Sequence, residues 1–151
     1  MVTAEGDSDC TFCRIAVGVL TAAVVFEDSD SLAFLDHRPL FPGHCLLVPK
    51  QHLETIGDLP TDLIGAFFSN VQLLSRAVET AMKAEGTFVA MNNRVSQSVP
   101  HLHVHIVPRR EKDGLRGFFW PRKKYQNEAE IETIRDRIRR AIQRLNSPRG
   151  T

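Results

Sequence analysis

The chain has 151 residues, of which 42% are hydrophobic and 25% are charged, and its formal net charge at pH 7 is +1. This composition indicates one globular domain over residues 1–151 with an adequate core, and the small net charge excludes a global attraction to nucleic acid or to an anionic membrane. No secretory signal and no apolar run of roughly 18 residues is present, so a cytoplasmic protein without a membrane partner is expected.

The N-terminal segment carries two closely spaced cysteines. Residues 1–9 are polar and are predicted to be flexible, and a helical turn or two is predicted over residues 13–19. In a reducing compartment the run from Cys10 to Cys13 indicates a metal clip or a redox pair rather than a structural disulfide. Cys45 is predicted to be a buried bystander.

Five short apolar runs have the composition of strands. The first two, residues 23–26 and 31–35, flank an acidic turn and are predicted to form a hairpin. A third over residues 44–48 ends at Pro49. The fourth covers residues 87–91, and the last is the apolar stretch around His101, His103 and His105.

Two amphipathic segments predict helices. One begins near Pro60 and Thr61 and stops at Gly86, with an apolar stripe made by Leu63, Phe67, Val71, Leu74, Val78 and Met82. The second covers residues 128–146, is capped by Asn127, carries Ile131, Ile134, Ile138 and Leu145 on one face, and is closed by Pro148. Together these elements predict an α+β fold: a mostly antiparallel sheet, covered on one face, with one long central helix and a C-terminal helix.

The most informative pattern is three histidines on alternate residues. In a strand, His101, His103 and His105 would project from one face, while Leu102, Val104 and Ile106 would point into the core. Histidine is suited to proton exchange near neutral pH, to metal binding and to nucleophilic attack. A merely solvated strand face is a poor explanation of strict alternation in a chain with six histidines.

Two chemistries are open for this strand. All three histidines could be ligands of a catalytic zinc ion. Alternatively the rings could divide the work between a ligand or orienter, a nucleophile and a donor to phosphate. The preceding loop favours a phosphate site, because it supplies amide, hydroxyl and guanidinium donors at Asn92, Asn93, Arg94, Ser96, Gln97 and Ser98.

The ordered set of motifs resembles the histidine triad (HIT) family of nucleotide hydrolases and transferases, in its zinc-carrying bacterial-type branch. The matching motifs, within about residues 10 to 109, are His101-Leu102-His103-Val104-His105-Ile106, Gln97-Ser98-Val99, Phe34-Leu35-Asp36, Pro42-Gly43-His44-Cys45-Leu46-Leu47-Val48-Pro49-Lys50 and His52. The resemblance implies a homodimer that attacks the α-phosphorus of a purine nucleotide derivative, either a dinucleoside polyphosphate or a nucleoside phosphoramidate. No nucleic-acid partner is implied.

The resemblance also implies a role for each site residue. His103 would form a covalent nucleotidyl-histidine intermediate, His44 would support it, and His105 would contact the phosphate or the leaving group. Phosphate would be oriented by Asn92, Gln97 and Ser98. Asp36 would grip the ribose hydroxyls, and the base pocket would be lined by Leu20, Phe34 and His37. For Leu20 and Phe34 a place in the core explains the residue type better than a binding role.

The same resemblance completes a set of metal ligands. Cys10 and Cys13 match the cysteines of those family members that carry zinc, and His52 and His101 match the other two ligands. A Cys₂His₂ set has the ligand number and softness of a closed structural zinc site. This would assign His101 to zinc and leave His103 free to react. A redox pair is the weaker alternative, because the surrounding sequence lacks a thioredoxin-like βαβ pattern.

A basic and aromatic segment over residues 109–127 follows the triad. From Arg109 to Tyr125 it holds seven basic residues and four aromatic ones, including Phe118, Phe119 and Trp120. It could form a lid over a polyphosphate tail, a contact with nucleic acid, or an ordered loop at a subunit interface. We expect the interface for Phe118 and Phe119. A non-catalytic nucleotide-binding module is the third functional hypothesis.

Overall fold

The computed structural model describes residues 9–115 and 123–147, and the chain divides into two compact units, Met1–Gly114 and Leu115–Thr151. The first unit contains α1 (Thr11–Ala16), β1 (Val24–Glu27), β2 (Ser31–Leu35), β3 (Cys45–Pro49), α2 (Thr61–Met82), β4 (Gly86–Ala90) and β5 (Val104–Arg109). The second unit contains α3 (Glu128–Asn146). The single-domain interpretation stays a prediction, and the proposed flexible start lies outside the described residues except for Asp9.

The strands form one sheet in the order β1-β2-β3-β5-β4, and every neighbouring pair is antiparallel. The α+β architecture with a mostly antiparallel sheet, a long helix and a C-terminal helix is therefore confirmed. Leu46 of β3 lies opposite His105 of β5, so the centre of the sheet brings together segments that are far apart in sequence.

The sheet is covered on both faces, not on one as its sequence predicts. Ala33, Cys45 and Leu47 pack with α2, whereas the alternate residues Leu46 and Val48 pack with α1. Side chains along a strand alternate between faces, so a strand as apolar as β3 needs a partner on each side. The short cysteine-bearing helix supplies the second layer.

The helix α1 begins at Thr11, two residues before its predicted start. The thiolate or thiol of Cys10 caps the helix, because its Sγ accepts the Cys13 N–H at 3.4 Å. Cysteine is not a usual capping residue, and this explains why the sequence pattern placed the start too late.

The helix α2 confirms the predicted apolar stripe but not the predicted stop. Its buried residues are Phe67, Val71, Leu74 and Val78. The helix ends at Met82, where Lys83 takes a left-handed conformation with φ of 48°, and Gly86 instead opens β4. The Arg110 guanidinium donates to the carbonyls of Met82 and Lys83 at 2.5 and 2.6 Å. A distant cation thus replaces the glycine cap that the sequence suggested.

The C-terminal helix α3 has the predicted cap. The Asn127 side chain accepts the Glu130 N–H at 2.9 Å, and the Glu130 carboxylate accepts the Gln126 N–H. None of its described side chains is buried, and Leu145 at the end of the apolar face is 85% exposed. Pro148 lies outside the described residues, as do Phe118, Phe119 and Trp120.

The histidine run is only partly a strand. β5 begins at Val104, so His105 lies in the strand while His101 and His103 precede it in irregular backbone. The apolar partners nevertheless point into the core as predicted, since Leu102, Val104 and Ile106 are fully buried with α2. The run therefore keeps one buried apolar face without forming strand hydrogen bonds along its whole length.

A glycine sets the turn that leads into His44. Gly43 has φ of 95°, and a Cβ at this position would lie 2.6 Å from Cγ of Met82. We expect Gly43→Ala to lower the free energy of unfolding by about 1–3 kcal/mol, through both backbone strain and overpacking. Gly114→Ala is the matched control, because Gly114 has φ of 87° and open space around it. Urea unfolding of both variants measures the difference; equal losses would contradict the packing part of this explanation.

Candidate functional site

Four potential metal ligands converge beside the sheet. Cys10 and Cys13 come from the start of α1, His52 follows β3 and His101 precedes β5. Their ligand atoms all lie within 4.8 Å of one another. The distances from sulfur to Nδ1 are 3.3 Å for Cys10 to His101, 3.3 Å for Cys13 to His52 and 3.5 Å for Cys13 to His101.

This donor set fits a tetrahedral zinc ion. Zinc bonds of about 2.3 Å to sulfur and about 2.0 Å to nitrogen imply a sulfur-to-nitrogen separation of about 3.5 Å in a tetrahedron. Nε2 of His101 lies 2.8 Å from the Pro49 carbonyl, which can only accept, so Nε2 carries the proton and Nδ1 presents a lone pair to the thiols. Burial lowers the pKa of His101 to about 4, which keeps this ring neutral, as a ligand must be.

His103 is oriented by the backbone of His101. Its Nδ1 lies 2.7 Å from the His101 carbonyl, so Nδ1 carries the proton and Nε2 is left with a lone pair. The ring is buried, and the Phe12 ring lies edge-on to it with the centroids 5.2 Å apart. A neutral imidazole held in this way has one fixed nucleophilic atom.

His105 contacts a different set of groups. Its ring centroid lies 5.0 Å from that of His103, and its Nδ1 lies 3.0 Å from Nε2 of His44. Asp36 reaches the same pair, with its carboxylate 3.7 Å from Nε2 of His44. His44, which is predicted to support His103, contacts His105, and the ring of His105 lies beside that of His103.

Burial sets the charge of this pair. It lowers the pKa of His105 to about 4, helped by His103 and His44 and opposed by Asp36. Burial also lowers the pKa of His44, again opposed by Asp36. Both rings are therefore neutral at pH 7.

These shifts predict a loss of stability in mild acid. Between pH 6.5 and about 4 the unfolded chain protonates His105 while the folded chain does not, so stability falls as the pH is lowered through this window. We expect the urea midpoint to fall from pH 7 towards pH 4, and to fall less in His105→Gln. The lowered pKa of Asp28 acts near and below its ordinary 3.8 and so adds little in this window. Equal slopes in both proteins would contradict the assignment.

The loop over residues 92–98 holds left-handed conformations without glycine. Arg94 and Ser96 have φ of 69° and 59°, in the left-handed region that usually favours glycine. Side-chain bonds hold the loop in place: Gln97 accepts the Arg94 N–H at 2.8 Å and donates to the Glu54 carbonyl at 2.6 Å. Asn92 donates to the Ser96 carbonyl at 3.2 Å. Strain of this kind persists only where surrounding bonds maintain it.

The predicted phosphate ligands therefore differ in their exposure and in the hydrogen bonds that their side chains make within the protein. Both ends of the Gln97 amide are engaged by backbone, so this residue anchors the loop. Asn92 is exposed and bonded within the loop, whereas the Ser98 side chain is exposed at the end that leads towards the histidines.

The predicted base-pocket residues differ in their exposure to solvent. Phe34 is buried against Phe12, with ring centroids 5.5 Å apart, as its core interpretation predicts. Leu20 is half-buried and lines a cleft of about 440 Å³ between the end of α1 and the first hairpin. His37 is 87% exposed and lies 3.8 Å from the Asp36 carboxylate.

Sequence reasoning missed two groups in the site. Phe12 contacts the rings of both His101 and His103, and its position between the two cysteines was the available signal. The backbone N–H of Leu40 lies 3.1 Å from Nδ1 of His44. A contact made by the backbone cannot be predicted from the type of residue at that position.

Comparisons with known proteins agree on one family. The HIT domain matches residues 17–112, a range that excludes Cys10 and Cys13. Adenylylsulfatase HINT3 of Arabidopsis thaliana is 36% identical over 110 residues, which is 72% of this chain but only 56% of that protein. Adenosine 5'-monophosphoramidase HNT1 of Saccharomyces cerevisiae is 34% identical over 112 residues, covering 72% of this chain and 68% of that one.

A solved structure matches nearly the whole chain. The crystal structure of a HIT family member from Bacillus subtilis superposes with a TM-score of 0.80 at 30% identity, covering 94% of this chain and 99% of that one. Among the helices of the described ranges, none combines the length and the apolar character needed to cross a membrane.

Proposed function

Because the chain belongs to the HIT domain family, we propose that it is a nucleotidyl hydrolase or transferase that cleaves at the α-phosphate of a purine nucleotide derivative through a covalent intermediate on His103. The observation that carries this proposal is the contact of 2.7 Å between Nδ1 of His103 and the His101 carbonyl. In the neutral form of this buried imidazole, the contact fixes the lone pair on Nε2.

The reaction would proceed in two displacements. Nε2 of His103 attacks the α-phosphorus, and the leaving group departs with the electron pair of its bond to phosphorus. The modified ring keeps its proton on Nδ1, where the His101 carbonyl stabilises the new positive charge. Water then attacks phosphorus and loses a proton to solvent, the bond from nitrogen to phosphorus breaks, and His103 is restored. Another acceptor in place of water makes the enzyme a transferase.

The remaining residues would bind and orient the substrate. Asp36 would accept from the ribose hydroxyls; this role is supported by a carboxylate that is partly accessible and has one oxygen bonded to the Arg38 N–H. His105 faces the phosphate or the leaving group. Ser98 and Asn92 serve as phosphate donors, with Gln97 holding their loop in shape. Leu20 and His37 border the base site, and Phe34 supports it from the core.

A structural zinc ion is part of the proposal. Cys10, Cys13, His52 and His101 would hold it, and when bound it would cross-link the N-terminal segment to the residue whose carbonyl orients His103. The alternative in which zinc is bound by the three triad histidines is less well supported, because His101 and His103 direct their Nδ1 atoms to different partners. A homodimer and a cytoplasmic location stay predictions.

The names of two relatives indicate which substrate classes to test. An adenylylsulfatase and an adenosine monophosphoramidase are among the relatives. A hydrolysis assay should therefore compare adenylyl compounds with sulfate or amine leaving groups and dinucleoside polyphosphates. We expect release of AMP from at least one class. Formation of ADP that depends on added inorganic phosphate would identify a phosphorylase. Tight binding of AMP without turnover of any class would contradict the proposal and favour a non-catalytic module.

A further inference from the structure

The loop before β3 donates a backbone hydrogen bond to a buried histidine. The Leu40 N–H lies 3.1 Å from Nδ1 of His44, whose ring is buried. An amide N–H can only donate, so Nδ1 of His44 must be an acceptor. A neutral His44 therefore carries its proton on Nε2.

The same reasoning determines the tautomer of His105. Nε2 of His44 lies 3.0 Å from Nδ1 of His105, and because His44 donates there, Nδ1 of His105 accepts. A neutral His105 then carries its proton on Nε2. One backbone amide, two rings away, thus determines which atom of His105 is a donor.

This arrangement also argues against a second metal site. The ligand atoms of Asp36, His44 and His105 lie within 4.8 Å of one another, as they would around an ion. A metal on Nε2 of His44 would require a lone pair there and hence a proton on Nδ1, directed at the Leu40 N–H. Two donors would then face each other, which costs the hydrogen bond and leaves a buried group unsatisfied.

We infer that the Leu40 amide and His44 hold His105 as a neutral hydrogen-bond donor at Nε2, so that His105 stabilises the reacting phosphate or leaving atom without transferring a proton. A proton on Nδ1 of His105 would face the Nε2 proton of His44, and His44 cannot move that proton to Nδ1 because the Leu40 amide is there. The inference deepens the proposed function and rests on it for the identity of the reacting atom. The leaving group then takes its proton from water.

The surroundings of His105 fit a neutral role. The titratable groups that face it are His103, His44 and Asp36. Burial and the rings of His103 and His44 lower the pKa of His105, and together they outweigh the Asp36 carboxylate, which lies 3.7 Å from Nε2 of His44. His105 and His44 are positioned from adjacent strands, since His44 immediately precedes β3, which pairs with β5.

Nitrogen-15 NMR of the histidine rings tests the inference on the full chain. Protonated and bare ring nitrogens give separate signals, and the chain has six histidines to assign. We expect Nδ1 of His44 and Nδ1 of His105 to be bare, and both Nε2 atoms to be protonated, throughout the range from pH 6 to pH 8. A proton on Nδ1 of His105 in the wild-type protein would overturn the inference, whatever the outcome of any turnover assay.

Two substitutions of Leu40 distinguish the effect of its backbone N–H from the effect of its side chain. Leu40→Pro removes the N–H and should allow His44 and His105 to exchange between tautomers, whereas Leu40→Ala keeps the N–H and should leave the ring spectrum unchanged; the Leu40 side chain is 52% exposed. His44→Phe should release His105 in the same way and lower kcat by about tenfold or more, as expected when an orienting partner is lost. An unchanged His105 tautomer in a folded His44→Phe or Leu40→Pro variant would contradict the inference, and the wild-type spectrum decides if neither variant folds.

Discussion

Replacing His103 with alanine is expected to lower the release of AMP from an adenylyl substrate by at least about 1,000-fold, since the proposed nucleophile is removed. The loss should appear in kcat, because the proposed attack of His103 on phosphorus belongs to the chemical step. Brief reaction of the wild-type protein with nucleotide labelled at the α-phosphate should leave acid-labile label on the chain, and His103→Ala should leave none.

Two comparisons make this result specific. Gln72→Ala changes an exposed residue on α2 and should keep full turnover and full labelling. Retention of zinc by His103→Ala would show that the neighbouring ligand set is intact and that the loss is chemical. Comparable activity of His103→Ala and the wild-type protein would rule out the covalent mechanism proposed here.

Replacing Cys10 with serine is expected to abolish stoichiometric zinc binding and to destabilise the fold. The thiol is buried and lies 3.3 Å from Nδ1 of His101, so its loss removes a soft ligand from a closed set. At a free zinc concentration a thousand times its dissociation constant, binding to the folded state alone adds about 4 kcal/mol to stability. We expect Cys10→Ser to lose a contribution of this size in zinc-containing buffer, measured by urea unfolding together with elemental analysis.

The third cysteine provides the matched control. Cys45 is equally buried, but its Sγ lies 3.4 Å from the Gly43 carbonyl and outside the ligand set. Cys45→Ser should therefore keep its zinc. Chelation should lower the stability of the wild-type protein and of Cys45→Ser, but not that of Cys10→Ser. Retained zinc in Cys10→Ser would instead favour a metal ion on the triad histidines.

The sequence was most informative where apolar residues recur at a regular spacing because one face of the segment packs against the core. The stripe of α2 and the apolar residues that alternate with the triad histidines were identified correctly, because burial against one face has a fixed period. It was misleading where a distant group replaced a local signal. Lys83 ends α2 with the help of Arg110, and Cys10 caps α1. Neither lysine nor cysteine is a residue type from which these roles are predicted.

In the candidate site, too, some features could be predicted from the sequence and others could not. The residue types of the metal cluster and the triad could be recognised from their spacing together with the family resemblance, and the structure brings them together. Contacts that involve the backbone could not be inferred: the His101 carbonyl behind His103, the Leu40 amide behind His44 and the two bonds that occupy Gln97. These depend on how segments far apart in sequence meet in three dimensions.

The pairing of β3 with β5 has a consequence for how the chain folds. His44 and His105 are 61 positions apart, and α2 and β4 lie between them. Closing so long a loop has an entropic cost that is offset only when the strands dock, so β3 and β5 should pair late. We therefore expect the histidine contacts to form in the final, cooperative step of folding, after α2 and the first hairpin. During synthesis, the chain cannot bring His44 and His105 together until β5 has emerged.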